Sequence, residues 1–203
     1  MMKHYIFTFV ALLSANAFAS SSIPVPLIKQ NFVSVEYNSN GKQSGCGLRA
    51  TAENKDNLTL NALITVFLKD TGATFGVVKV VARKAEMKKG APLMKNGSPV
   101  FLNIGNVTKA WFKPDSAAQP KVYSKGTSHN DGYMETVDYA STIDLMQLLS
   151  QENFKIGFSF NTGQADQTFI FDQWMDRREG NAFAACMANL NNVIEENKKK
   201  RSF

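Results

Sequence analysis

Ser128, His129 and Asp131 stand together in the run Lys125-Gly126-Thr127-Ser128-His129-Asn130-Asp131-Gly132. They are the residue types of a nucleophile, a base and an orienting acid, and their chemistry would be acyl transfer. A working triad needs the base bonded to both partners, usually from separate elements. A run of Gly, Ser, Asn and Asp is also what a turn requires, so the segment reads as a loop. Asp172, Asp176 and Glu179 form a second set, since paired carboxylates can cleave glycosidic bonds. They precede an apolar helical stripe, where negative charge is favourable, and Asp176 and Glu179 have capping-box spacing. No catalytic residue is therefore assigned.

The chain has no G-x-S-x-G elbow, P-loop or H-E-x-x-H motif. Beyond the first nineteen residues it holds one histidine and two cysteines. A transition-metal site is poorly supplied with ligands, and no calcium loop of the D-x-[DN]-x-[DN]-G type occurs. Neither metal nor cofactor is expected.

The two thiols are Cys46 and Cys186. Their redox state depends on the compartment, and the first residues bear on that. Residues 1–19, MMKHYIFTFVALLSANAFA, combine a positive Lys3, a short apolar run and Ala17-Phe18-Ala19 as a cleavage signal. This is the order of a secretory leader, and the run is too short to span a bilayer. The expected product is a single exported domain, residues 20–203, periplasmic or secreted, with a basic tail over 198–203. In an oxidising compartment Cys46 and Cys186 are expected to pair as a disulfide.

Charge is unevenly distributed. Residues 79–125 carry ten basic and two acidic side chains, and residues 126–197 carry three basic and eleven acidic ones. Within the first segment Lys79, Arg83, Lys84, Lys88, Lys89 and Lys95 form a candidate patch for an acidic partner. A solvated face beside the acidic segment is the plainer reading of the same charges. Export argues against nucleic acid as the partner.

The elements that must position these residues read mainly as β. Val33, Val35 and Tyr37 alternate with polar residues, and Asn40-Gly41 marks a tight hairpin. Leu58 to Leu68 holds strict period two. Gly45–Ala52, Phe75–Ala82, Val100–Ile104, Val107–Lys113, Gly132–Tyr139, Phe154–Phe160 and Thr168–Phe171 complete the strand candidates, with a polar loop between Val107–Lys113 and Gly132–Tyr139. A short helix is expected near 141–151, capped by Ser141 or Thr142. An amphipathic helix near 177–197 follows from the stripe of Phe183, Cys186, Met187, Leu190, Val193 and Ile194. The basic tail after it is expected to fray. No internal repeat or linker is read.

These features predict an antiparallel β-sandwich or barrel-like sheet with two helices. A transmembrane barrel is not expected, because Lys198-Lys199-Lys200-Arg201-Ser202-Phe203 does not read as a lipid-facing strand. The expected function is binding without catalysis, with an envelope or secretion-system protein or an acidic envelope polymer as partner. The alternatives are a carboxylate hydrolase of envelope glycan or peptide, and a structural subunit of an envelope assembly.

Overall fold

The computed structural model describes residues 23–25, 27–129, 132–162, 166–172 and 175–201. The expected leader, Asn130 and Asp131 lie outside the described residues.

The chain runs β1 (Ile23–Val25), β2 (Leu27–Ser39), β3 (Lys42–Asn54), β4 (Leu58–Leu68) and β5 (Thr74–Ala85). Five two-residue strands follow: β6 (Met87–Lys88), β7 (Ala91–Pro92), β8 (Met94–Lys95), β9 (Ser98–Pro99) and β10 (Phe101–Leu102). Then come β11 (Val107–Pro114), β12 (Lys121–Tyr123), β13 (Thr127–His129), β14 (Gly132–Val137) and helix α1 (Tyr139–Gln151). β15 (Phe154–Phe160), β16 (Gln167–Phe171) and helix α2 (Arg177–Arg201) complete it.

Two sheets form the body. Sheet I has the order β13-β14-β5-β4-β3-β2, and sheet II the order β1-β16-β15-β11-β12. The pairing is antiparallel except between β1 and β16, so the sandwich is mainly antiparallel as expected. The chain passes between sheets from β1 to β2 on one side and from β12 to β13 on the other. These crossings link the edge strands of the two sheets in sequence, while the sheets themselves stay separately paired.

Alternation along the long strands decides which face is core. Leu60, Ala62, Ile64 and Val66 of β4 are buried, as are Leu48 and Ala50 of β3 and Val78 and Val80 of β5. Sheet II contributes Phe112, Phe154, Ile156, Phe158, Phe169 and Phe171 to the same cluster. Its large rings face a sheet whose inner positions include Ala50, Ala52, Ala62 and Ala82, a match of large to small. Both helices pack on sheet I, α2 against β2 and β3 and α1 against β4 and β5. The Cys46–Cys186 disulfide joins α2 to β3 across 140 residues, as the compartment argument predicts.

The helix boundaries differ from expectation. Asp138, not Ser141 or Thr142, caps α1, accepting from the backbone N–H of Ser141 at 2.8 Å. Val137 and Tyr139 look like a continuing strand in sequence, which hides the cap. The bond from the Ser141 N–H, and a second from the Ser141 hydroxyl at 2.8 Å, hold the Asp138 carboxyl below its ordinary range. Helix α2 runs to Arg201, so the basic tail is helical through four further residues. Lysines suit a helix C-terminus, and Lys198 pairs with Glu195 at 2.7 Å. Among the described residues no helix is long and apolar enough to cross a membrane.

Thr142 has a different role. It is buried, and a Cβ built on Gly76 of β5 would stand 2.0 Å from its hydroxyl oxygen. Only glycine lets α1 lie this close to the sheet. Gly76→Ala is expected to cost about 1–3 kcal/mol of stability through overpacking. Adding Thr142→Ala should recover part of that loss, since the two positions share one contact. Urea midpoints of the two single variants and the double variant test this. Strict additivity would remove the contact as the cause.

Candidate functional site

The expected patch divides among three places. Lys79 and Arg83 lie on the outer face of β5, away from the core. Lys84 has the opposite parity on the same strand. Lys88 and Lys95 lie beyond the end of β5 on the short strands, and Lys89 in the turn between β6 and β7. The six therefore do not share one face.

The candidate chemical residues are held by structural bonds. The Ser128 hydroxyl donates to the carbonyl of Val107 at 2.7 Å. Asp172 accepts from the Gln30 amide. Asp176 caps α2, accepting from the Glu179 N–H at 2.9 Å. Glu179 accepts from both the N–H and the hydroxyl of Ser34, each at 3.0 Å. This last contact ties α2 to β2 and occupies part of the open edge of sheet I.

A buried polar cluster holds the crossing from β12 to β13. Tyr133 donates its hydroxyl to Glu135 and accepts from the Gly126 N–H at 2.8 Å. Glu135 also accepts from the Lys125 N–H at 3.0 Å. Burial, then the bond to Glu135, pushes the Tyr133 hydroxyl up to about 12. Burial also raises Tyr123 and lowers Lys121, whose ammonium donates to the Ser141 carbonyl at 3.0 Å. The bonds of Tyr133 and Lys121 join neighbouring elements together.

Two cavities meet at the side chains of Arg83 and Phe101. The Arg83 guanidinium lies 5.1 Å from the centre of the Phe101 ring, within cation–π reach. One cavity, about 450 Å³, lies over the outer face of sheet I and is lined by Lys29, Glu53, Asn61, Lys79, Arg83 and Phe101. The other, about 630 Å³, adds Asn103, Asn106, Asn161 and Thr162. Its wall is fixed by a reciprocal pair: Asn106 N–H donates to the Asn161 side chain, and Asn161 N–H to the Asn106 carbonyl, both at 3.0 Å.

Alternation puts Lys29, Asn61, Lys79 and Arg83 on one face, and register brings β2, β3, β4 and β5 side by side. Among the described residues lining the two cavities, Glu53 is the one carboxylate, and there is no histidine, cysteine or serine. The groove can attract negative charge, hydrogen-bond through amides and offer an aromatic face. Among the described residues no group of three or more His, Cys, Asp or Glu is arranged to hold a metal.

Sequence reasoning singled out Lys79 and Arg83 but missed Lys29, Phe101 and the asparagines. It also missed a repeat, Met87-Lys88-Lys89-Gly90-Ala91-Pro92-Leu93 followed by Met94-Lys95-Asn96-Gly97-Ser98-Pro99-Val100. That seven-residue periodicity is the signal for the structure beside Phe101. No protein-family model, curated protein or solved structure matches the chain.

Proposed function

We propose that this is an exported, non-enzymatic binding protein that holds an acidic segment of an envelope or secretion-system protein in the groove around Arg83 and Phe101. The observation that carries the reading is the convergence of Lys29, Lys79 and Arg83 beside one aromatic ring, against a single carboxylate. Such a rim steers an acidic partner and raises its association rate more than it adds to final affinity. The leader-like first residues and the Cys46–Cys186 bridge support export to an oxidising compartment. An acidic envelope polymer is the alternative occupant of the same groove.

The test is capture in the native host with a tag on the C-terminus and a reversible crosslinker. One envelope protein should be recovered repeatedly. Lys29→Glu with Lys79→Glu should weaken its binding by about tenfold at low salt, with a smaller effect as salt screens the groove. The unfolding midpoint should stay unchanged, because both side chains are on the surface. Unaltered affinity in that variant removes the groove as the binding surface. Recovery of an acidic glycan in place of a protein assigns the groove to the polymer.

A further inference from the structure

Residues 84–102 fold into three short antiparallel ribbons that meet at a point. β6 pairs with β7, β8 with β9, and β10 with the end of β5. Three backbone bonds close the junction in a ring: Glu86 N–H to Val100 carbonyl at 2.9 Å, Leu93 to Glu86 at 2.7 Å and Val100 to Leu93 at 2.8 Å. The seven-residue repeat produces this arrangement, placing Glu86, Leu93 and Val100 at the centre. Lys89-Gly90 and Asn96-Gly97, all with positive φ, turn two of the ribbons, as two-residue hairpins of type I′ require. Pro92 and Pro99 sit opposite Met87 and Met94. Those are the non-hydrogen-bonded pairs, where a missing N–H costs the ladder nothing.

Directly paired residues share a face of a ribbon. The pairs nearest the junction are Met87 with Pro92, Met94 with Pro99 and Phe101 with Ala85. All six are apolar. The next pairs, Lys88 with Ala91, Lys95 with Ser98 and Leu102 with Lys84, project to the opposite face and carry three lysines. Met87, Met94 and Phe101 are 38%, 54% and 41% exposed, high values for large apolar side chains. Residues 84–102 hold four lysines and one acid. The junction is thus amphipathic, with one apolar face and one lysine-rich face.

We infer that the three-ribbon junction docks on an anionic bilayer surface. An apolar face opposite a lysine-rich one is the pattern of segments that lie in the membrane interface, and the lysine stems can reach back to headgroups. The net positive charge complements anionic lipid. Methionine and phenylalanine side chains adapt to an irregular apolar boundary. Phe101 is shared with the groove, but Met87, Met94, Lys88 and Lys95 do not line it, so variants at these four positions test the docking face apart from the groove. Docking would keep the groove beside the membrane.

Protein purified as the cell exports it, with its disulfide intact, is spun down with phosphatidylglycerol-containing vesicles and with pure phosphatidylcholine vesicles. Binding should be at least about tenfold stronger to the anionic vesicles and should fall with salt. Lys88→Glu with Lys95→Glu should lose about tenfold or more. Met87→Ser with Met94→Ser should also lose binding, with an unchanged unfolding midpoint. Equal binding to both vesicle types overturns the inference, as does full binding by either variant. Concentration-dependent self-association that Met87→Ser with Met94→Ser abolishes, without vesicle binding, assigns the face to a second copy and also overturns it. Capture of the groove's partner should survive both junction variants, so failure here and failure of the groove are read separately.

Discussion

Replacing Cys46 and Cys186 together by alanine is expected to lower the unfolding free energy by about 4–5 kcal/mol. The bridge spans 140 residues, and the chain-entropy penalty it removes grows with the logarithm of that loop. A typical domain has about 5–15 kcal/mol in total, so the loss is a large share. The loss should concentrate in α2. Apart from the bridge, this helix is held by Phe183 and Leu190 in the core, by the Glu179–Ser34 bonds and by the Gln43 amide, which donates to the Cys186 carbonyl at 2.7 Å. Urea unfolding of the oxidised, reduced and double-alanine proteins gives the magnitude. Hydrogen exchange over 177–201 gives the location. Reduced and double-alanine proteins should agree, with α2 exchanging well before the strands of sheet I. Equal stability of the oxidised and double-alanine proteins sinks the prediction.

The same bridge shows which parts of this fold are legible in sequence. Cys186 falls within an apolar helical stripe and Cys46 on a strand beside a turn, so pairing them already docks the last helix on sheet I. β4 is equally plain, because Leu58 to Leu68 alternates without interruption and the even residues are buried. Asn40-Gly41 turns the first hairpin with both φ values positive. Such signals are local, either a recognisable two-residue turn or a period that extends over at least five residues. β12 and β13 have three residues each, and the strands of the junction have two, too few to establish a period. The Lys89-Gly90 turn is also hidden, since lysine seldom adopts positive φ. The groove was the least legible feature. Lys29, Asn61, Lys79 and Phe101 are far apart in the chain and meet only through sheet register and the return of β10 to β5. A charge count finds Lys79 and Arg83, but it groups them with Lys84, which the strand's alternation sends the other way.

Phe154→Ala should be the most damaging single substitution in the core, at about 3–5 kcal/mol. Phe154 stacks on Phe171 of the neighbouring strand, with centres 4.9 Å apart and planes 9° from parallel. It also meets Phe32 of sheet I at 4.9 Å. Truncation therefore opens a cavity between the sheets and removes aromatic contacts worth more than their area. A loss below about 1 kcal/mol would mean that the sheets do not share a core at this point. The groove gives the variant a second use. Its lysine-lined part lies on the outer face of sheet I, across the sheet from Phe154, so the folded fraction should bind the captured partner as the parent protein does. Lys29→Glu with Lys79→Glu should do the reverse, leaving stability intact and weakening binding. If Phe154→Ala weakens binding in the fully folded protein, the groove's shape depends on how the two sheets pack. Unchanged binding makes sheet I, with its attached junction, a rigid platform whose inner face supplies stability and whose outer face meets the partner.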